Sequence, residues 1–112
     1  MKKQIIASIA VTLAVAIMTP AYAAIDEDAA KAMAKKNDCF KCHAVDKTKK
    51  GPSYKKIALK YKGKPDAEAS LIKQITSGPK VKLEDGSEEN HKIIDTKDQG
   101  QIKNLVAWIL SR

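Results

Sequence analysis

The stretch Cys39-Phe40-Lys41-Cys42-His43 decides how this chain is read. Two cysteines three positions apart, with a histidine directly after them, form C-x-x-C-H, the attachment sequence of c-type haem. The spacing has a physical basis. At the end of a helix, two such thiols can add to the two vinyl groups along one edge of a porphyrin. The next residue then sets an imidazole beneath the iron. Cys39 and Cys42 are therefore the candidate anchors and His43 the candidate proximal ligand, with one covalent haem c as the implied cofactor. Two other chemistries use paired cysteines. A thioredoxin-like dithiol would follow a strand in a mixed sheet, and no strand pattern leads into Cys39. A zinc site needs two further ligands at workable spacing, and only His91 lies outside the motif.

On either side of the motif the periodicity is helical. Residues 26–38 place Ala29, Ala30, Met33 and Ala34 on one face, with Asp26, Glu27 and Asp28 at the end where the helix dipole favours anions. Residues 53–62 carry Ile57, Ala58 and Tyr61 at helical spacing, and residues 66–77 carry Leu71, Ile72 and Ile75 before a stop at Gly78-Pro79. A last helix over 97–111 aligns Ile102, Leu105, Val106 and Ile109, with Thr96 and Gln99 as its expected capping box. No stretch alternates well enough to predict a strand, so the expected class is all-α. Two segments read as irregular, Val45 to Pro52 and Pro79 to Asp95, and long ordered loops in small domains often carry function.

The beginning of the chain reads differently. Lys2 and Lys3 precede an apolar run from Ile5 to Met18, followed by Pro20-Ala21-Tyr22-Ala23-Ala24. A basic start, a short apolar middle and a small-x-small ending predict a secretory signal peptide over residues 1–23, cleaved after Ala23. The run is shorter than the roughly 20 residues that span a bilayer. The expected product, residues 24–112, is one exported periplasmic domain with no membrane anchor. Its folded aromatics are Phe40, Tyr54, Tyr61 and Trp108, a thin supply for a core, and domains this small normally need a staple such as a large cofactor. The net charge is +8, and +6 once Lys2 and Lys3 are removed. That surplus points to partners with an acidic docking patch, export makes nucleic acid improbable, and the expected state is a monomer or weak oligomer.

Further pieces occur in a telling order: Gly51-Pro52-Ser53-Tyr54, Tyr61-Lys62-Gly63, Ala67-Glu68-Ala69-Ser70-Leu71 and Leu105-Val106-Ala107-Trp108-Ile109-Leu110-Ser111. With the attachment motif they make residues 26–112 resemble the short, soluble, monohaem class I cytochromes c of bacteria, of the pseudomonad type. The resemblance implies four or so helices wrapped around the haem, the first and last crossing behind it with Trp108 and Met33 in the crossing. It also implies that the Pro52 carbonyl takes the other ring nitrogen of His43, fixing the ligand's tautomer. The implied role is electron transfer between redox proteins, and no catalytic constellation in the sequence suggests an enzyme. The chain departs from the family at one place. The usual distal methionine is missing, because no methionine follows Met33, and Met33 lies on the wrong side to reach the iron. Ser87-Glu88-Glu89-Asn90-His91-Lys92-Ile93 stands in its place. His91 is the expected second axial ligand, giving a bis-histidine haem of lowered potential. Asn90, Lys92 or an open site are the alternatives, and an open site would favour a small-ligand sensor. A cytochrome subunit of a larger periplasmic oxidoreductase is a further alternative.

Overall fold

In the computed structural model, which describes residues 10–16 and 24–112, the first helix begins where Asp26 caps it. The Asp26 carboxylate accepts from the Ala29 N–H at 3.0 Å, and α1 runs over Glu27–Lys36. Ser53 caps α2 (Tyr54–Tyr61) by accepting from the Lys56 N–H at 3.1 Å. The next helix, α3 (Ala67–Ser77), stops at Gly78, whose φ of 63° is the left-handed conformation that ends helices and suits glycine. The last is α4 (Gln99–Leu110).

The start of α4 corrects the expected capping box. Thr96 is not the cap. Asp98, extended at φ −69° and ψ 111°, accepts from the Gln101 N–H at 2.9 Å, and Thr96 Oγ1 in turn accepts from the Asp98 N–H at 3.1 Å. The chain stays extended through Asp98, so the hydroxyl of Thr96 sits two residues too early to reach the free N–H groups of the first turn.

Helix α4 is the hub, packing against α1, α2 and α3. Its buried residues Ile102, Leu105, Val106, Trp108 and Ile109 meet Ala30 and Ala34 of α1, Tyr54 of α2, and Leu71 and Ile75 of α3 in one cluster. Trp108 is fully buried and Met33 is half-buried against the cluster. The α1–α4 crossing is pinned by a reciprocal pair: Asp26 N–H donates to Asn104 Oδ1 at 2.9 Å, and Asn104 Nδ2 donates to the Asp26 carbonyl at 2.9 Å.

The segment after α3 is not irregular throughout. Lys80–Lys82 (β1) and Glu88–Asn90 (β2) pair antiparallel, Lys80 opposite Asn90 and Lys82 opposite Glu88, around a turn whose Gly86 has φ 86°. No alternation announced this hairpin because almost every strand residue faces solvent, so neither face is written in apolar residues. Turn chemistry and the Lys82–Glu88 cross-strand pairing set its register instead. The small hairpin leaves the all-α class intact. The signal peptide expected over residues 1–23 falls largely outside the described residues. Among the described residues, no helix is long and apolar enough to cross a membrane.

Candidate haem site

The motif begins three residues beyond α1. Asp38 takes a left-handed φ of 58°, turning the chain into a single 3-10 turn over Cys39–Lys41. The His43 N–H then bonds the Cys39 carbonyl at 2.9 Å, so the two thiols and the imidazole issue from one tight fold of backbone. Both cysteines are free and half-buried. Burial pushes the Cys39 thiol above the ordinary cysteine value, which keeps it as the neutral thiol.

The ring of His43 is held from several directions. Its Nδ1 donates to the Pro52 carbonyl at 2.6 Å, which leaves Nε2 with a free lone pair. Tyr54 stacks on it with ring centres 5.4 Å apart and planes 22° off parallel. Tyr54 itself abuts Trp108 edge-on at 5.4 Å, so the ladder His43–Tyr54–Trp108 ties the ligand to α4. A side chain at Gly51 would place its Cβ 3.0 Å from His43 Cε1, so glycine lets the loop pass this close without displacing the ring. Burial holds the imidazole below the ordinary histidine value, the Pro52 bond pulls the other way, and nearby His91 lowers it further. The net result is a neutral ring at neutral pH, the form that binds a metal. Tyr54, pushed well above the ordinary tyrosine value chiefly by burial, stays protonated.

His91 arrives from the segment just after β2. Its ring centre lies 6.2 Å from that of His43, with the planes at 43°. Its Nδ1 donates to the Lys92 carbonyl at 2.9 Å, so Nε2 is again the free nitrogen. Metal–imidazole bonds are about 2 Å, and each coordinating nitrogen lies about 1 Å from its ring centre. Two rings binding one metal from opposite sides therefore have centres about 6 Å apart, and the observed separation matches. Asn90 is an exposed strand residue and Lys92 is exposed. Among the described residues no group of three or more His, Cys, Asp or Glu side chains gathers as a bare metal ion would require. Two imidazoles beside a pair of thiols suit instead a metal whose remaining ligands come from a macrocycle, and the donor set fits a covalent haem.

Cys39, Cys42, His43, Pro52 and His91 are thus brought into one neighbourhood. The sequence pattern left the roles of Gly51 and Tyr54 unread. Their signal was present in the Gly-Pro-Ser-Tyr piece, but only the fold shows the glycine under the ring and the tyrosine against it.

A family profile described as cytochrome c matches residues 27–112. Cytochrome c-552 of Nitrosomonas europaea is 42% identical over 63 residues, which cover 56% of this chain and 57% of that protein. Cytochrome c-551 of Pseudomonas aeruginosa is 43% identical over 44 residues, covering 39% of this chain and 42% of that protein. The matches thus span less than two thirds of these relatives. Among solved structures, the class 1 cytochrome MtoD from Sideroxydans lithotrophicus ES-1 superposes with a TM-score of 0.76 at 63% identity, covering 79% of this chain and 97% of that one.

Proposed function

The chain belongs to the cytochrome c family, and on that premise we propose that it is a periplasmic electron carrier, not an enzyme, whose haem is bound by His43 and His91. Membership implies one covalently bound haem c, and that group supplies a one-electron ferric/ferrous couple. Everything else falls to the chain. Cys39 and Cys42 anchor the porphyrin edge. His43, fixed in one tautomer by Pro52 and in one plane by Tyr54, donates Nε2 from the proximal side. His91 would offer its Nε2 as the second iron ligand, and a pair of imidazoles would hold the potential below that of an imidazole–thioether pair.

The observation that carries the distal assignment is the 6.2 Å separation of two rings whose Nε2 atoms are both free. Near-infrared magnetic circular dichroism of the ferric protein tests it. Bis-imidazole ligation is the expected signature, and an imidazole–amine or imidazole–water signature would overturn the reading.

Export is the second part of the proposal. It rests on the basic, apolar and small-x-small order of residues 1–23. Sequencing the N-terminus of protein expressed with its leader should find Ala24 first, and an intact Met1 would remove it.

The third part is docking to an acidic patch on a redox partner. Lys41, Lys47, Lys49 and Lys50 are exposed around the attachment motif, beside where an electron would leave. Their fields are screened beyond about 8–10 Å at physiological ionic strength. The association rate with a partner should therefore fall on the order of tenfold or more between low and physiological salt. Stopped-flow reduction measures this. A rate flat across ionic strength would leave apolar contact at the haem edge as the docking force.

A further inference from the structure

Asn37 is one of two buried polar residues among the described residues, the other being the α2 cap Ser53. Burying an amide costs free energy unless it is bonded. Here both ends are used. Nδ2 donates to the Met33 carbonyl at 3.0 Å, and Oδ1 accepts from the Asp95 N–H at 2.9 Å, a contact spanning 58 residues of chain. The end of α1 does not require this side chain, because the Asn37 backbone N–H already bonds the Met33 carbonyl at 3.0 Å. The amide's distinctive contribution is the long-range bond.

Its position gives that bond a consequence. Asn37 stands two residues before Cys39, and Asp95 stands four after His91. The segment carrying His91 has no helix or sheet of its own beyond Asn90. It is held at the open end of the hairpin by His91 N–H to the Pro79 carbonyl at 2.8 Å, and it hangs from α3 through Ile94 N–H to the Ile75 carbonyl at 3.0 Å. Gly78 leaves it no slack, since a Cβ there would come within 2.8 Å of Ile93 Cγ1. The Asn37 bond ties the C-terminal end of this segment to the helix that delivers the proximal motif. An exposed Lys36–Asp95 ion pair at 3.2 Å lies alongside, and such pairs contribute little.

We propose that Asn37 is a positioning residue that sets the reach of His91, linking the distal segment to the attachment side of the fold; this rests on His91 being the distal ligand. Two measurements on the haem-loaded Asn37→Ala protein test it. Hydrogen exchange at the Asp95 amide, followed by NMR in the ferrous state, should quicken on the order of tenfold, the factor a hydrogen bond of ordinary strength is worth. Amides of Leu105 and Val106 in α4 should keep their protection. Cyanide binding to the ferric protein must wait for His91 to leave, and it should quicken by a similar factor. A quickened Asp95 amide with an unchanged cyanide rate would overturn the proposal, and so would no change in either. The ligand assignment is judged separately by His91→Ala: an unchanged spectrum there removes the distal ligand, whereas a changed one beside a wild-type cyanide rate in Asn37→Ala removes the latch alone. If Asn37→Ala fails to load haem, Asn37→Asp keeps an acceptor for Asp95 but loses the donor to Met33 and buries a carboxylate, so its cyanide rate is read with the Asp95 amide confirmed still protected. Slow cyanide binding in that variant supports the latch, and fast binding overturns it.

Discussion

Replacing His91 with alanine is expected to convert the ferric haem protein from low-spin to high-spin and to speed cyanide binding on the order of 100-fold, the upper end of what loss of even a supporting residue costs a metal site. The reason lies in how few donors can stand in. Asn90 is committed to β2 opposite Lys80, and Lys92 is exposed. Met33, on α1, is half-buried against the helix-crossing core. The segment that carries His91 remains anchored at Pro79, Ile75 and Asn37 in the variant, so it should keep its path while offering only a methyl group to the iron. The companion change His91→Met tests the same geometry in the other direction. Thioether ligation raises the potential where the loop still reaches, so a higher midpoint than wild type is expected. Absorbance and EPR spectra read the spin state, stopped flow reads cyanide, and a redox titration reads the potential. An unchanged spectrum in His91→Ala would sink the assignment and turn attention to Lys92, Asn90 or an open distal site.

The paired change Cys39→Ala with Cys42→Ala is expected to give a colourless chain with no cooperative unfolding transition. The protein core is small. Among the described residues its fully buried large apolar side chains are Trp108, Ile102, Leu105 and Val106, and most of the remainder are alanines or single aliphatics. No disulfide is available to offset chain entropy, since the two cysteines are the only ones in the sequence. Beside the buried Tyr54, Phe40 and Val45 are only partly buried against the core, and the apolar face of the macrocycle is what would complete it. Loss of the thioethers also leaves His43 and His91 as the sole attachments. Circular dichroism melting and haem absorbance check this. A colourless double variant that still melts cooperatively would show that the helices suffice alone. Complete removal of haem from the unaltered protein by acid-acetone would defeat covalent attachment itself.

Much of this was written locally. C-x-x-C-H specifies its chemistry over five residues, and the helices follow from apolar periodicity, so element positions agree within one or two residues. Charge and leader pattern are likewise properties of the string. Where local reading failed, the physics explains it. The hairpin over 80–90 faces solvent on both sides and so carries no apolar alternation. The cap of α4 depended on where the backbone turns from extended to helical, a step decided at Asp98 and not at Thr96.

By itself, then, the sequence determined the haem-attachment motif, the helical class and the lack of a methionine after Met33, and it marked His43 and His91 as the candidate iron ligands. Tertiary structure alone decided how close the His91 ring comes to that of His43. Nothing in the spacing of 48 residues between His43 and His91 brings their rings to 6.2 Å. That approach is set by α3 ending at Gly78, by the hairpin returning the chain to Pro79, and by a buried amide at the end of α1 catching the segment at Asp95. Asn37 illustrates the division. In the sequence it is an ordinary polar residue at a helix end, where water would satisfy it. Only packing, by excluding that water, makes its one long-range hydrogen bond expensive to lose.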